Sequence, residues 1–423
     1  MTLSPEQQLE LIRANTIDLI PEEELLAKLR SGRPLRVKLG VDPTGPDIHL
    51  GHAVVLRKLR FFQDLGHTAV LIIGDFTGLI GDPSGRNEGR PQLTREQVEK
   101  NVSTYREQVF KILDPEKTEF HYNSEWLSKL TPEEIIRLAA THTVNQLLAR
   151  EDFRARYTDN QPISLHEFLY PLLQGYDSVA IRSDIELGGT EQKFNMLVGR
   201  ELQRMAVFGE PQEPQAIITF PILVGTDGVR RMGKSLGNYI GVTDPPDGMF
   251  GKIMSIPDEC IEQYFVLCTD VPPTEIAQMV SDMKSGALNP RDAKRRLGRE
   301  IVTLYHSAEA GQAADETFLR VFSSQRQQTR EDYEAVAEEV AIPAEYRGAT
   351  WGPIWISTAL VWLGLAKSKG EAARLVRGGG VYVDEQRIAD PQQEITLVPG
   401  TLLRVGKRRV VRLVSGSARG RER

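Results

Sequence analysis

The fold is decided by the stretch Lys38-Leu39-Gly40-Val41-Asp42-Pro43-Thr44-Gly45-Pro46-Asp47-Ile48-His49-Leu50-Gly51-His52. An extended run, 34–41, leads into it, and two prolines with a glycine between them exclude regular structure at its centre. Apolar residues at i, i+4 and i+7 then predict a helix, which Asp47 would cap and Gly66 would end. The pattern is typical of a strand, a sharp loop and a helix.

A second strand-like run, 69–74, follows this helix directly. Strand, helix and strand form a βαβ unit, whose first turn opens at the carboxyl edge of a parallel sheet, where ligands bind in such folds. His49 and His52 stand three residues apart at the start of the helix, with Gly51 between them. Imidazoles at a helix N-terminus favour a phosphate ligand. A metal-binding pair and a chance surface arrangement stay open as alternatives.

The composition is that of a globular protein with more than one domain. The chain has 423 residues, 40% of them hydrophobic and 26% charged, and this length predicts two or three domains. Its two cysteines favour a reducing compartment. The first residues lack the apolar core of a signal peptide, and no run is long enough to span a membrane. We therefore expect a cytoplasmic protein without a membrane partner.

The net charge of −6 is unevenly distributed. From Trp351 onward, thirteen Lys and Arg face six Asp and Glu, an excess of +7, so the rest of the chain carries −13. A basic terminal module on an acidic body suggests that one part of the molecule binds a polyanion. The predicted parts are a catalytic nucleotide-binding domain with a helical insertion (1–240), a helical domain with one basic face (241–325), a polar helix or linker (326–350) and the terminal module (351–423).

A second glycine-rich stretch, 226–238, formally matches the phosphate-binding pattern G-x-x-x-x-G-K-S through Lys234 and Ser235. A true P-loop needs a long helix directly after this lysine. Glycines and two prolines follow within a dozen residues instead. We therefore predict a mobile loop whose Arg230, Arg231 and Lys234 close on phosphates.

Two other segments are candidates for ligand contacts. The loop 74–86 carries four glycines and two carboxylates directly behind a buried strand. Tyr170, Gln174 and Asp177 recur at i, i+4 and i+7 on a predicted helix that begins at Ser164. Such a polar face either lines a pocket or is simply solvated.

The terminal module combines two predicted helices with short strands and a basic hairpin. Its basic side chains suit structured RNA, which proteins recognise by shape and phosphate more than by base edges. The candidate RNA-binding residues are Lys369, Arg374, Arg377, Lys407, Arg408 and Arg409.

Two short motifs, His49-Leu50-Gly51-His52 and Arg231-Met232-Gly233-Lys234-Ser235, resemble the H-I-G-H and K-M-S-K-S signatures of class I aminoacyl-tRNA synthetases. Further matching segments point to the tyrosyl-tRNA synthetase family: 41–44, 78–85, Tyr170 with Gln174 and Asp177, and 189–192. The resemblance covers nearly the whole chain, including a terminal module like the RNA-binding domain named after a small-subunit ribosomal protein. It implies a Rossmann-like, doubly wound parallel sheet and a homodimeric ligase that joins tyrosine to its tRNA, using ATP with Mg²⁺.

The same resemblance implies a role for each candidate residue. Catalytic contacts to the ATP phosphates and pyrophosphate would come from His49, His52, Arg86, Arg90, Arg231 and Lys234. ATP would also be held by Asp42, Thr44, Gly51, Glu191 and Ser235. The tyrosine site would consist of Asp82, Tyr170 and Gln174 at the ammonium, Asp177 at the phenol, Gln192 at the carboxylate, and Lys38. No tightly bound metal is expected.

The chain departs from the family pattern at four of these positions. Arg231 replaces the first lysine of the second signature and keeps its charge, whereas Gly233 replaces its first serine. Glu191 stands where aspartate is usual. Lys38 stands where many relatives have a tyrosine that helps to recognise the substrate hydroxyl.

Three alternatives fit parts of the pattern. Tryptophanyl-tRNA synthetases share the fold and both signatures, but Asp177 and the terminal module count against them. A synthetase-like RNA-binding protein without catalysis is disfavoured by the intact His49, His52 and Lys234. A P-loop ATPase would need the helix that is missing after residue 235.

Overall fold

The computed structural model describes residues 3–43, 45–84, 94–205, 207, 209–322, 330, 333–334, 337–343, 352–406 and 409–415. The chain divides into two compact units. The first consists of Met1–Gly225, Val229–Thr243 and Val266–Cys268, and the second of Thr226–Gly228, Asp244–Phe265 and Thr269–Arg423. No helix within the described ranges combines the length and the apolar character needed to cross a bilayer.

Within the described residues, a six-stranded sheet forms the centre of the first unit. Its strands are β1 Asp18–Ile20, β2 Arg36–Val41, β3 Thr68–Ile73, β4 Thr118–Tyr122, β5 Ile185–Gly189 and β6 Ala216–Phe220. They lie in the order β1-β6-β5-β2-β3-β4, with β1 antiparallel to β6 and the other pairs parallel. The inner strands are mostly buried, as continuous apolar runs predict for a parallel sheet covered on both faces.

The helices of this unit are α1 Pro5–Arg13, α2 Glu22–Arg30, α3 Leu50–Asp64, α4 Arg95–Val109, α5 Ser124–Leu127, α6 Pro132–Ala139, α7 Val144–Leu148, α8 Glu151–Thr158, α9 Leu165–Ala180 and α10 Lys193–Met205. The predicted helix after the first loop is α3. Its N-cap is His49 rather than Asp47, because the backbone is still extended at His49 (φ −119°, ψ 170°). Gly66 follows the helix with a φ of +93°, a left-handed conformation that glycine adopts without strain.

The sheet reverses its strand order between β2 and β5. From β2 the chain moves outward to β3 and β4, and later returns to add β5 and β6 on the other side. Doubly wound sheets bind ligands in the crevice at such a point, outside the carboxyl ends of the strands. The predicted fold is confirmed, and the loops after β2 and β5 begin with the candidate residues Asp42 and Thr190-Glu191.

Three strands of this sheet, β1, β4 and β5, were not predicted. In β5 the pair Gly188-Gly189 suggests a turn, whereas the sequence offers no strand signal at β1 or β4. β1 and β4 are edge strands of the sheet, and their residues are only half-buried. They therefore lack the continuous apolar run by which a buried parallel strand is recognised.

The second unit begins with helices. They are α11 Pro246–Ser255, α12 Ile261–Cys268 (whose last three residues belong to the first unit), α13 Pro273–Ser285, α14 Pro290–Tyr305 and α15 Ala308–Phe322. The basic face predicted for this region is largely neutralised by acidic partners. Arg295 and Arg299 pair with Asp315 at 2.6 and 2.5 Å, and Arg296 pairs with Glu275 at 2.7 Å.

Four described strands of the terminal module and one strand from the segment before it form a five-stranded sheet. The elements of this segment and of the module are β7 Glu338–Ala341, β8 Ile354–Trp355, α16 Ile356–Trp362, α17 Lys369–Arg377, β9 Val381–Val383, β10 Gln386–Arg387, β11 Glu394–Ile395, β12 Leu402–Val405 and β13 Arg409–Val414. The sheet order is β10-β9-β12-β13-β7, and β8 pairs separately with β11. β7 lies inside the segment predicted to be a helix or linker, yet it pairs in parallel with β13.

Candidate active site

The two histidines of the first signature face each other. The rings of His49 and His52 stack with their centroids 3.8 Å apart at an interplanar angle of 17°. Burial first, and then the nearby His52 and Lys234, hold the pKa of His49 far below its ordinary value. His49 is therefore neutral, and its Nδ1 has no hydrogen-bond partner among the described atoms. A neutral imidazole can donate to a phosphate oxygen without placing a second full charge beside Lys234.

Backbone hydrogen bonds join the first signature to the segment that follows the second. Leu50 N donates to Ile240 O and Val242 N donates to Ile48 O, both at 2.9 Å. Gly51 lies directly under the His49 ring, since a Cβ at this position would be 3.0 Å from two of the ring atoms. The two signatures thus share one small framework around the N-terminus of α3.

Asn238 holds the loop that carries the second signature. Its Oδ1 accepts from Gly233 N at 2.9 Å, and its Nδ2 donates to Arg231 O at 3.1 Å. A Cβ on Gly225 would lie 2.2 Å from this side chain, so only glycine allows the approach. A single 3-10 turn, Lys234–Leu236, follows and ends at Gly237 with a φ of +65°. The P-loop interpretation is therefore excluded, as the sequence suggested.

Lys234 is enclosed within the first unit. Its Nζ lies 5.8 Å from the Tyr105 ring centroid, and its chain packs on Gly45, where a Cβ would be 3.0 Å from Cδ of Lys234. Burial lowers the pKa of Lys234 to about 8, while Asp47 acts in the opposite direction. The ammonium has no hydrogen-bond partner among the described atoms. A buried cation without an acceptor is a strong candidate for binding an anion.

Asp42 and Tyr170 meet at the carboxyl end of β2. The Tyr170 hydroxyl donates to Asp42 Oδ2 at 2.8 Å, and the Thr77 hydroxyl donates to Asp42 Oδ1 at 2.8 Å. A Cβ on Gly74 would lie 2.0 Å from Asp42 Oδ1, so glycine is required where β3 ends. Two candidate residues from distant segments are therefore in direct contact.

Lys38 and Glu186 form a buried ion pair between β2 and β5. Lys38 Nζ lies 2.9 Å from Glu186 Oε1, and both side chains are almost wholly inaccessible to solvent. Gln174 Nε2 donates to the same carboxylate at 3.4 Å, and Gln215 also donates to it. Glu186 was not predicted, because nothing in a buried strand run marks one acidic residue as the partner of a lysine more than 140 positions away.

Asp177 is fully buried on α9 with two donors from the segment after β4. Trp126 Nε1 donates to Oδ1 at 2.8 Å, and Asn123 Nδ2 donates to Oδ2 at 3.3 Å. Burial raises the pKa of Asp177 to about 7, opposed by Lys38 and by these two donors. The sequence did not reveal Trp126 and Asn123, because the strand that brings them here was itself not predicted.

The remaining candidates for the tyrosine site belong to one polar network. Gln192 Nε2 donates to Asp82 Oδ2 at 2.7 Å, and Asn195 Nδ2 donates to Gln192 Oε1 at 3.1 Å and to Gln174 Oε1 at 2.8 Å. Arg150 Nη1 donates to Asn195 Oδ1 at 3.1 Å. The structure thus brings Asp82, Gln174 and Gln192 together through Asn195, which was not predicted.

Glu191 folds back onto its own turn. A Cβ on Gly189 would lie 2.3 Å from Glu191 Oε2, so the glycine makes this conformation possible. Burial and the nearby Asp82 raise the pKa of Glu191, while Arg231 lowers it. The Oε2 atom has no hydrogen-bond partner among the described atoms. This acceptor is available for a hydroxyl or amine of a ligand.

Several predicted residues lie outside the described part of the chain. They are Thr44, Arg86, Arg90, Lys407 and Arg408, together with the side chain of Ser235. Among the residues that are described, no group of three or more His, Cys, Asp or Glu side chains is arranged to hold a metal ion.

The candidate RNA-binding residues of the module that the structure describes are exposed. Lys369 begins α17, and Arg374 and Arg377 lie in its last turn. Arg409 begins β13 and donates to Gly364 O at 3.3 Å. By contrast, Arg404 lies 3.7 Å from the ring centroid of a tyrosine, so its charge is used within the module.

Comparison with known proteins gives two family matches. Residues 30–323 match the model described as tRNA synthetases class I (W and Y), and residues 355–400 match the S4 domain. The first match covers both signatures and the polar network described above.

Curated relatives match over nearly their full length. The chain is 51% identical to a tyrosine–tRNA ligase of Moorella thermoacetica over 411 residues, which is 96% of this chain and 95% of the relative. It is 50% identical to the corresponding ligase of Thermotoga maritima over 417 residues, 99% of this chain and 100% of the relative.

Solved structures share the fold at lower identity. A tyrosyl-tRNA synthetase from Archaeoglobus fulgidus, complexed with L-tyrosine, has a TM-score of 0.60 at 24% identity, covering 74% of this chain and 99% of that one. A C-terminally truncated mitochondrial tyrosyl-tRNA synthetase from Aspergillus nidulans has a TM-score of 0.62 at 21% identity, covering 75% and 94%. Stacked signature histidines, an adjacent buried lysine and these matches lead to one conclusion: the chain belongs to the class I aminoacyl-tRNA synthetases and, among them, to the tyrosine–tRNA ligases.

Proposed function

We propose that this tyrosine–tRNA ligase forms tyrosyl adenylate at the carboxyl ends of β2 and β5, with one group of residues for ATP and another for tyrosine. The observation that carries the proposal is the buried Lys234 ammonium, which has no hydrogen-bond partner among the described atoms and lies near the stacked His49 and His52. Pyrophosphate supplies the anionic oxygens that this buried ammonium lacks.

On the ATP side of the site, negative charge develops on pyrophosphate as it leaves. His49 and His52 donate hydrogen bonds to the phosphates, and the cations among the candidates balance the negative charge. The residues assigned to pyrophosphate are His49, His52, Arg86, Arg90, Arg231 and Lys234. The residues assigned to the rest of ATP are Asp42, Thr44, Gly51, Glu191 and Ser235.

On the tyrosine side, carboxylates and amides surround the substrate. Asp82, Tyr170 and Gln174 bind its ammonium. Gln192 lies at its carboxylate, and Asp177 accepts a hydrogen bond from its phenol hydroxyl. The contacts of Tyr170 with Asp42 and of Gln192 with Asp82 support this grouping, because they converge on one edge of the sheet.

The reaction needs no nucleophile from the protein. The tyrosine carboxylate oxygen attacks the α-phosphorus, the bond to the β-phosphate oxygen breaks, and pyrophosphate leaves with the electron pair. The terminal ribose hydroxyl of tRNA then attacks the adenylate carbonyl and loses its proton, while the bond from the carbonyl carbon to the phosphate oxygen breaks and AMP leaves. Catalysis therefore consists of positioning and charge stabilisation. Mg²⁺ would enter with the ATP phosphates and neutralise part of their charge.

The terminal module is the proposed tRNA-binding part. Its match to the S4 domain and its exposed cations support this assignment. The residues assigned are Lys369, Arg374, Arg377, Lys407, Arg408 and Arg409. In this scheme the catalytic domain occupies about 1–240, the helical domain 241–325, and the connection to a module at 351–423 includes β7. We place the protein in the cytoplasm, where tRNA is charged.

We also propose that the protein is a homodimer. Helices α6 to α9 expose large apolar side chains to solvent, most of all Leu165 at 80% and Ile136 at 69%. A second copy of the chain would bury such residues. We expect Leu165→Asp to halve the mass measured by sedimentation, whereas Val398→Asp, an exposed apolar residue of the module, should leave it unchanged. A wild-type chain that sediments as a monomer would refute the homodimer.

The function itself is tested by amino-acid-dependent exchange of pyrophosphate into ATP, measured with each of the twenty amino acids. Exchange should occur with tyrosine alone. Phenylalanine lacks the hydroxyl and would leave the buried Asp177 without its ligand partner, which is costly. Equal exchange with tryptophan would overturn the assignment.

A further inference from the structure

The buried pair Lys38–Glu186 lies in exact register on neighbouring strands. The two residues are Cα partners on the parallel strands β2 and β5, so their side chains leave the same face of the sheet. Both point toward α9, where Lys38 Nζ donates to Gln174 O at 3.0 Å and to Ser178 Oγ at 2.7 Å. The Ser178 hydroxyl in turn donates to Glu186 Oε2 at 3.1 Å.

The Lys38 ammonium has used all of its hydrogen-bonding capacity. A lysine has three donors, and three acceptors lie within 3.0 Å: Gln174 O, Ser178 Oγ and Glu186 Oε1. The side chain is also wholly buried. No donor is left for a substrate hydroxyl, although the family pattern has a substrate-binding tyrosine at this position.

The two residues of α9 that accept hydrogen bonds from Lys38 flank Asp177, the residue assigned to the phenol. Gln174 precedes Asp177 by three positions and Ser178 follows it directly, so one helical turn carries both anchors and Asp177. Asp177 is also held by Trp126 and Asn123 from the opposite side. The turn is thus fixed to the sheet by the ion pair and to the segment after β4 by the carboxylate.

We propose that Lys38 and Glu186 form a positioning pair, which anchors the Asp177 turn of α9 to the sheet and thereby sets the selectivity for tyrosine without touching the substrate. The proposal rests on the proposed function, because it assumes that Asp177 accepts the phenol. In this scheme, Lys38 acts on the substrate indirectly, through Asp177. The tyrosine residue that many relatives have at this position would contact the substrate directly. Selectivity depends on Asp177 being held in place.

The pair also shapes the electrostatics of the turn. The positive charge of Lys38 and the donors Trp126 and Asn123 favour the Asp177 carboxylate, whereas burial and the negative charge of Glu186 oppose it. Removing one member of the pair therefore changes both the anchoring and the field at Asp177. Removing both members restores neutrality, and replacing a buried ion pair by uncharged groups of similar volume is often well tolerated.

The test compares Lys38→Met, Glu186→Gln and the double variant in pyrophosphate exchange. Each single change should raise the KM for tyrosine by roughly 10- to 100-fold and lower the preference for tyrosine over phenylalanine. The KM for ATP should stay within about twofold of wild type, since no ATP contact is lost. The double variant should recover most of the affinity for tyrosine, as expected for residues that act on each other.

Two further variants separate positioning from general destabilisation. Ser178→Ala removes only a hydroxyl shared by the pair, so it should fold even where a single charge variant does not, and should raise the KM for tyrosine by several-fold. Glu167→Gln breaks the buried ion pair between Arg156 of α8 and Glu167 in the first turn of α9, ten positions before Asp177, and should lower the melting temperature without changing amino-acid preference.

Opposite outcomes would overturn the proposal. If Lys38→Met lost tyrosine preference while Glu186→Gln and Ser178→Ala kept it, and the double variant showed no recovery, Lys38 would be a direct ligand. Unchanged KM and preference in all variants would show that the pair has no role in selectivity. Failure of the proposed function looks different, because the wild-type protein would then show no tyrosine-dependent exchange.

Discussion

Charged side chains are placed in opposite ways in the proposed tyrosine site and in the terminal module. In the site, Lys38 and Glu186 are buried and paired, and Asp177 is held by two donors. In the module, Lys369, Arg374 and Arg377 stand in solvent at the surface of α17. Buried polar groups discriminate strongly, because an unmatched ligand leaves them unpaired, whereas exposed charges attract a polyanion at a distance and are screened by salt.

This difference predicts where mutations act. Changes in the buried site should alter amino-acid activation and amino-acid preference, with little dependence on salt. Changes in the module should alter tRNA charging and its salt dependence, with little effect on adenylate formation.

The largest effect is expected for Lys234→Ala. Adenylate formation should fall by about 10²- to 10³-fold, because the ammonium meets charge that develops only as pyrophosphate leaves. Tyrosine affinity, measured by equilibrium binding without ATP, should change by less than about twofold. A parallel loss of tyrosine affinity would instead make Lys234 a structural residue of the site.

Removing the module should produce the next largest effect. A chain that ends at Phe322 should make tyrosyl adenylate at close to the full rate, yet charge tRNA roughly 10- to 100-fold less efficiently, with a shallower salt dependence. A cut near residue 348, at the predicted linker, is a poorer choice because it would keep β7 without its partner β13. Unchanged charging by the shortened chain would show that the module does not bind tRNA.

The pH dependence of kcat/KM for ATP should follow the protonation of Lys234. Burial lowers the pKa of this lysine to about 8, so the free enzyme loses the charge as the pH rises through that value. We expect kcat/KM for ATP to be level below about pH 7 and to fall by up to about tenfold per pH unit above pH 8. Lys234→Arg keeps its charge and should abolish this fall, even if its rate is lower. An identical profile for both proteins would assign the titration to another group.

The smallest effect is expected for Arg374→Ala. The KM for tRNA should rise only a few-fold, and the slope of log affinity against log salt should decrease by about one unit. Arg412→Ala is the matched control, because Arg412 is already paired with Glu339 at 2.5 Å and should contribute less to tRNA binding. Equal slopes for the two variants would argue against a specific role of α17.

The sequence was most informative where structure is local. The apolar runs of β2 and β3 and the prolines between β2 and α3 predict the βαβ unit, because each signal lies within a few residues of its effect. The cap of α3 was misplaced by two residues. Pro46 and Asp47 suggested an earlier start, but the chain stays extended until His49, whose neighbours pair with the segment around Ile240.

Partners from distant segments were not predictable. The sequence marks Asp177 and Lys38, but the positions of Trp126 and Glu186 beside them depend on strand order and register. The strand β7 was even harder to predict from the sequence. Its first two residues are exposed glutamates, which indicate a solvated linker, and only β13 makes this segment a strand.

The pairing of β7 with β13 means that the last sheet of the protein can be completed only at the end of synthesis. Ala341 pairs with Val414, so β7 leaves the ribosome about 70 residues before its neighbour exists. At roughly 5 to 20 residues per second, β7 waits for several seconds without its partner, while the sheet of the first unit is already complete along the nascent chain. A chain that ends early in the module would therefore contain every strand of the first sheet but lack the partner of β7.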